Sequence, residues 1–387
     1  MSLSLNEHRL RVDTARHGPF TFQLGLDCDA LQTEWLRVQD AQQRFIRSPL
    51  APVAEHLYKE VVVSSIYGTN TIEGGRLTEE ETQLALELHP SQVKTIEQRR
   101  VTNLKQAYEL ARELASQSDW QPTVDYLRHL HITITRELPD DHNQPGLLRD
   151  NPKGLHTHVG NTEHGGRYQP PQYGGDVQLL LASLINWHDQ LLQQEVPALI
   201  RAPLMHYYFE LIHPFWDGNG RVGRVLEASI LLHSGFRYAP FAQARYYLSE
   251  IHQYFTLFNS CHKAAARGEA CPNTDFVLFF MQGMRQTINQ LHDRVSDITE
   301  FFLFETHLKH LHDEKKINHR QYAIVNELVR HGQPMPLSEL RSRAWYRALY
   351  AKLTDKTRQR DLSQLIEQRL ILRNSEQHLI PGYTRHD

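Results

Sequence analysis

Residues 213–224, HPFWDGNGRVGR, set a histidine, an aspartate, a Gly-Asn-Gly turn and two arginines between two apolar runs. Leu204, Tyr207, Phe209, Leu211 and Ile212 lead in; Val222, Val225, Leu226, Ile230 and Leu231 lead out, both at helical spacing. Charges wedged between buried helices must satisfy one another or meet a ligand, because an uncompensated buried charge is costly. The turn suggests which ligand. Gly218 and Gly220 allow backbone angles that other residues resist, and consecutive amides opening a helix form a positively polarised seat for an anion. Arg221 and Arg224, three apart on one helix face, suit the oxygens of a di- or triphosphate. Asp217 stands just before the seat, where a carboxylate beside phosphate oxygens would hold Mg2+. His213 is an imidazole, the side chain most often used to take a proton from an attacking hydroxyl. The set points to nucleotidyl or phosphoryl transfer. Mere capping of two helices would leave the charges without compensation.

The rest of the chain supplies a helical scaffold. Apolar residues recur at three- and four-residue spacing over 30–63, 78–117, 122–137, 176–193, 199–213, 221–235, 246–267 and 274–312, while strand-like sequence is scarce. The stretch 145–175 is different. It is crowded with Gly, Pro and Asn around LHTHV (155–159), which predicts an exposed flap with a short hairpin. His156, His158 and His164 fall in that flap. No acid or cysteine completes a metal-ligand spacing with them, so they read as solvated residues. Three scattered cysteines (Cys28, Cys261, Cys271) argue for a reducing compartment, no apolar run is long enough to span a membrane, and the first residues lack a secretory pattern. A cytoplasmic protein without a membrane segment is expected.

Charge is unevenly spread. Residues 315–387 carry 14 Lys and Arg against 7 Asp and Glu, a balance of +7, which leaves −10 on the remainder. NHRQYAIVNELVRHG predicts a helix stopped by Gly332 and Pro334, PLSELRSRA a second with Ser338 or its neighbour near its cap, and TDKTRQRDLSQLIEQRLILR a third. RNSEQHLI adds a small β-wing. This region resembles a winged helix-turn-helix domain, particularly at Arg360, Asp361, Leu362 and Leu365. Such a domain would present Lys356, Arg358 and Arg360 to nucleic acid, although winged helices also serve as protein-interaction modules.

HPFWDGNGRVGR resembles the signature of the Fic family, H-P-F-x-[D/E]-G-N-G-R-x-x-R, at every specified position. The resemblance implies a mainly α fold: a Fic-type helical core over about 118–300 with a β-hairpin flap, a preceding helical region over 1–117, and a linker helix with a C-terminal winged helix domain over 301–387. It implies a protein adenylyltransferase, which transfers AMP from ATP to a Ser, Thr or Tyr hydroxyl of a target protein. His213 would be the catalytic base and Asp217 would bind Mg2+. Gly218, Asn219 and Gly220 would cradle the phosphates, Arg221 and Arg224 would neutralise them, and Phe215 would anchor the turn in the core. PGLLR (145–149) and YQPP (168–171) match the borders of the family's hairpin, which docks the target's backbone by strand addition. Tyr254 fits the first of two tyrosines lining the nucleoside pocket. Phe255 replaces the second, and His262 replaces a later Asn.

A second stretch, GTNTIEGGRLTEEE (68–81), contains Thr69 to Gly74, which resembles the family's inhibitory motif [S/T]-x-x-x-E-[G/N]. The resemblance implies an inhibitory helix at about 58–75, with Glu73 paired to Arg224 so that ATP is seated unproductively. In some relatives the same glutamate supports removal of AMP. Without the resemblance, the stretch reads as a helix end followed by a capping box from Thr78 to Glu81. Two alternatives stay open: a DNA-binding regulator that uses the core as a nucleotide sensor, and an enzyme of this fold that transfers another nucleotide. The target protein, binding of DNA and formation of a homodimer are not fixed by the sequence.

Overall fold

The computed structural model describes residues 3–49, 53–139 and 143–383. They divide into two compact units, 1–50 with 54–293 and 51–53 with 294–387. The chain opens on an antiparallel hairpin that the helical pattern does not reveal, β1 (Arg9–Asp13) and β2 (Pro19–Gln23). Its turn is fastened by the buried Asp176, whose carboxylate accepts from the backbone N–H of Ala15, Arg16 and His17.

Helices dominate, and their starts follow local chemistry. Asp27 caps α1 (Cys28–Arg47), which buries Leu31, Val38, Ala41 and Phe45 along one stripe. α2 is Ala54–Ile72. The Thr78–Glu81 capping box opens α3 (Glu79–Leu86), and Thr95 with Gln98 opens α4 (Ile96–Ala115). α5 (Val124–Thr135) follows, with Thr123 at its cap. The continuous runs expected over 30–63 and 78–117 are each interrupted, next to Pro49 and at Pro90, because proline cannot continue a helix ladder.

The flap carries β3 (Val159–Asn161) and β4 (Gly166–Tyr168), paired Val159 to Tyr168 and Asn161 to Gly166. The hairpin thus begins where LHTHV ends. Residues 151–157 are held instead by side chains: Asn151 Nδ2 donates to the Leu155 carbonyl and Thr157 Oγ1, and Gln172 Oε1 accepts from the Thr157 amide. Beyond it come α6 (Gly174–Gln193), α7 (Ala198–Ile212) and α8 (Asn219–His233). α7 and α8 pack against each other at the centre, with α4, α5 and α9 (Ala239–Ser249) against α8 and α6 against α7. α7 is buried on nearly every side, so it shows no amphipathic stripe. The run expected over 246–267 breaks at Glu250, whose backbone leaves helical geometry between α9 and α10 (Ile251–Ala266). α11 (Thr274–Asp313) begins in the first unit, and its residues from Arg294 belong to the second. No described helix is long and apolar enough to cross a membrane.

The second unit has its own core, including Ile324, Leu328, Leu340, Tyr350, Leu365 and Leu379. α12 (His319–His331) is capped by Asn318 and stopped by Gly332 at φ 66°. α13 (Leu337–Ser342), an unexpected short α14 (Ala344–Leu349) and α15 (Asp355–Glu367) follow. An antiparallel pair, β5 (Ile371–Arg373) and β6 (Leu379–Pro381), closes the unit. Ser338 lies inside α13, which starts after Pro336 without a side-chain cap. Asp361 is a fully buried carboxylate that accepts from Arg320 Nε and the Tyr350 hydroxyl, each at 2.9 Å. Lys356 and Arg360 are exposed, whereas Arg358 turns to Asp355 at 3.0 Å and is half-buried.

Candidate active site

His213 ends α7 in the left-handed conformation, φ 47° and ψ 62°, an uncommon setting for a residue with a side chain. The surroundings hold it there. Its amide donates to the Phe209 carbonyl, and its carbonyl accepts from Arg149 Nε at 2.6 Å. Arg149 is wholly buried, donates also to the Ile212 carbonyl and Asn151, and its own amide bonds the Pro214 carbonyl. A guanidinium on the last carbonyls of a helix meets its negative end. The imidazole of His213 is one-fifth exposed, with Nδ1 3.5 Å from Glu210 Oε2.

The turn is shaped from beneath. Phe215 is fully buried, its ring stacked on His131 at 3.8 Å and 3°. His131 accepts at Nδ1 from the Gly146 amide (2.8 Å), so Nε2 carries the proton bonded to the Asp217 carbonyl (3.0 Å). Asn219 spends its side chain on the loop, accepting from the Phe215 amide and donating to the Phe215 carbonyl. What it offers the seat is backbone. Gly218 stands at φ 82° before α8, whose first amides have no intrahelical acceptors.

Around that seat the charges pair. Arg221 Nη2 lies 2.5 Å from Asp217 Oδ2. Burial would raise the Asp217 carboxyl, but Arg221 outweighs it and holds it below the usual carboxylate range. Arg224 Nη2 lies 2.5 Å from Glu73 Oε1, and its Nη1 donates to the Tyr254 hydroxyl at 3.2 Å. Glu73 behaves like Asp217: burial pushes its carboxyl up, and Arg224 and then Arg221 bring it below the usual range. A Cβ on Gly220 would stand 2.2 Å from Glu73 Oε1, so the carboxylate rests directly against the glycine turn. Arg221 Nε and Nη1 and Arg224 Nε are buried with no hydrogen-bond partner among the described residues. Such orphaned donors fit a polyphosphate. Asp217, ionised and with its side chain 41 % exposed, fits a divalent cation beside it.

Glu73 directly follows α2. Thr69 is buried, its hydroxyl 3.2 Å from that of Tyr108 on α4, and Gly74 turns the chain at φ 79° with its amide on the Thr71 carbonyl. Arg100, also from α4, donates to the Glu73 carbonyl at 2.8 Å. The Thr78 capping box and the Glu73–Arg224 pair coexist, so the two readings of residues 68–81 are complementary.

A cavity of about 320 Å³ opens here, with Glu73, His213, Gly220, Arg224 and Tyr254 on one side and the hairpin on another. Phe255 lines it. His262 does not; its ring lies 4.3 Å from Tyr168 and borders a separate pocket. The amide in the cavity wall is Asn259, whose Nδ2 donates to the carbonyls of His164 and Gly166, each at 2.9 Å. Sequence reasoning named Arg149 only as a border and passed over His131, Arg100, Glu210 and Asn259. Apart from Glu210, three residues from His213, their contacts at the site lie 27 to 95 positions away in the chain.

The Fic/DOC family matches residues 121–231, from α5 into α8. A probable protein adenylyltransferase of Aquifex aeolicus is 34 % identical over 84 residues, 22 % of this chain and 25 % of that protein. The protein adenylyltransferase Fic of Nematostella vectensis is 26 % identical over 278 residues, 67 % of this chain and 56 % of its own length. The chain thus spans between a quarter and a little over half of these two curated relatives. A solved Fic family protein from Desulfovibrio desulfuricans aligns over 92 % of this chain and 97 % of its own, with a TM-score of 0.53 at 19 % identity, a likeness of fold. Residues 121–231 are thus similar to the Fic/DOC family, and the chain's homologues are named protein adenylyltransferases, a class of nucleotidyltransferase.

Proposed function

We propose that this chain transfers AMP from ATP to a hydroxyl of a target protein, and that Glu73 restrains the reaction. The observation that carries the reading is the Glu73 carboxylate resting on Gly220 and Arg224: the seat is built for an anion, and the chain supplies one of its own. Triphosphate would compete for the same donors. His213, with Nδ1 toward Glu210, would accept the hydroxyl proton at Nε2 as the hydroxyl oxygen attacks the α-phosphorus. The oxygen–phosphorus bond forms, the bond to the bridging oxygen breaks, and pyrophosphate leaves. Arg221, Arg224 and the amides opening α8 would hold the charge that builds on the phosphate oxygens. Mg2+ at Asp217 would neutralise charge on the phosphates of the donor.

Restraint follows from the pairing. Arg224 is almost wholly buried, and a buried charge stripped of its partner costs about 3–5 kcal/mol, so ATP must replace the carboxylate rather than expel it. Tyr254 stays on Arg224 as a second anchor while this happens. Incubation with labelled ATP and lysate tests the proposal. Glu73→Gly is expected to raise incorporation at least tenfold over the wild type, and Glu73→Gly with His213→Ala to abolish it. Labelling that survives loss of His213 would sink the assignment of the base. No labelling in Glu73→Gly, with ATP still bound, would favour a nucleotide sensor, and labelling from UTP instead would reassign the donor.

The second unit is proposed to be a winged helix that binds DNA. Its supports are the order α12, α13, α15, β5, β6, the +7 charge balance, and exposed Lys356 and Arg360 on α15.

A further inference from the structure

The hairpin over the cavity carries side chains that AMP transfer does not use. Glu163 and His164 lie at the β3–β4 turn and His252 lies at the start of α10. Among the described residues they form the one group of three such side chains whose ligand atoms all lie within 4.8 Å of one another. His164 Nε2 is 3.0 Å from His252 Nδ1, and Glu163 Oε1 is 4.0 Å from that same Nδ1. The two imidazoles are joined by a hydrogen bond, and an ion bonded to each nitrogen at roughly 2.0–2.1 Å would hold them about 3.0–3.4 Å apart, so an ion can take the proton's place with little movement of the rings. Glu163 is exposed, and rotation of its side chain closes the remaining gap.

A second observation concerns His164 itself. Asn161 Oδ1 lies 2.9 Å from its amide and 3.0 Å from its Nδ1. That oxygen can only accept, so the ring proton sits on Nδ1 and Nε2 presents a lone pair toward His252. Fixing the far nitrogen of a histidine with an acceptor is how proteins orient metal ligands. The turn is held as well: Asn259 grips the carbonyls of His164 and Gly166, and Lys263 Nζ donates to the Gly165 carbonyl. One half of the group rests on a restrained turn and the other on a helix.

We propose that Glu163, His164 and His252 bind a divalent transition-metal ion of the zinc class, and that the ion staples the hairpin tip to α10. Two imidazoles and one carboxylate suit zinc and its neighbours and disfavour Mg2+, which separates this site from the one at Asp217. Water completes the coordination at this exposed position. His164 also lines the cavity, so the staple braces the wall that the target would dock against.

The test uses the full chain, cleared with chelator and titrated with zinc chloride by calorimetry. The chain has 24 histidines, so the difference between variants is the readout. The wild type should take up one zinc equivalent more than His252→Ala, and Glu163→Gln should weaken that equivalent roughly tenfold or more. A large excess of Mg2+ should not displace it. Zinc should also slow amide exchange across 159–168 in the wild type and leave His252→Ala unchanged. Equal uptake and affinity in the wild type and His252→Ala would overturn the site. A difference in uptake with no change in hairpin exchange would overturn the staple. Neither readout depends on AMP transfer.

Discussion

A neutral imidazole at position 131 donates to the Asp217 carbonyl and accepts from the Gly146 amide, and its protonation would break the second bond. Burial lowers its pKa from the usual 6.5 to about 4. The unfolded chain therefore takes up this proton near pH 6.5, while the native state resists it until about pH 4. Between those limits the unfolded state binds more protons, so stability falls as pH falls, by up to about 3 kcal/mol over the whole interval. Thermal midpoints measured from pH 7 to 4 should drop less steeply in His131→Gln than in the wild type. Parallel curves would show that His131 does not carry the effect. Glu73 has the same sign but acts at lower pH, its carboxyl being held below the usual carboxylate range. Its pairing with Arg224 persists above that range and is lost only in acid, so neutral pH leaves the ion pair in place. Among individual residues, those of the 213–224 turn were legible because they are contiguous and their chemistry is local. His131, Arg149 and Asn259 were not, because their meaning lies in carbonyls and amides that only the folded chain brings within reach.

α2 delivers Glu73, and α2 is positioned by α9. At Gly68 the two helices come so close that a Cβ would stand 2.9 Å from the carbonyl carbon and oxygen of Ala244, atoms of a helix backbone that cannot swing aside. Arg245, next along α9, lies 4.7 Å over the Tyr67 ring and 2.8 Å from Glu79 of α3, which ties both helices to the same surface. Gly68→Ala should therefore lift α2 from α9 and loosen Glu73 without removing it. Incorporation of labelled AMP is expected to rise several-fold, yet remain below that of Glu73→Gly. Unchanged labelling with a lowered melting temperature would mean that α2 yields elsewhere. Helices of this kind were legible from apolar spacing, since burial of one face imposes a period of 3.6. Their breaks and the opening hairpin were less so. A break needs one residue, as at Glu250, and β1–β2 owes its place to Asp176, more than 150 positions away.

Over the whole molecule, charge divides between an acidic first part and a basic C-terminal region. If the exposed cations of α15 neutralise phosphates, each contact releases about 0.9 counterion, so binding to random-sequence duplex weakens with salt in proportion to their number. Replacing Lys356 and Arg360 together by alanine should lower the slope of log affinity against log salt by about 2, while Arg358→Ala should change it little because that side chain is turned to Asp355. A slope that is the same in the double variant would remove α15 from the interface. Arg149 has a different kind of consequence. It knits residues 145–157 to the end of α7, so that stretch cannot be lengthened or rewritten without retuning His213. The tip from Val159 to Tyr168 has three ladder pairs and a few clips from α10. Insertion or substitution there would leave untouched the bonds by which Arg149 holds the His213 backbone.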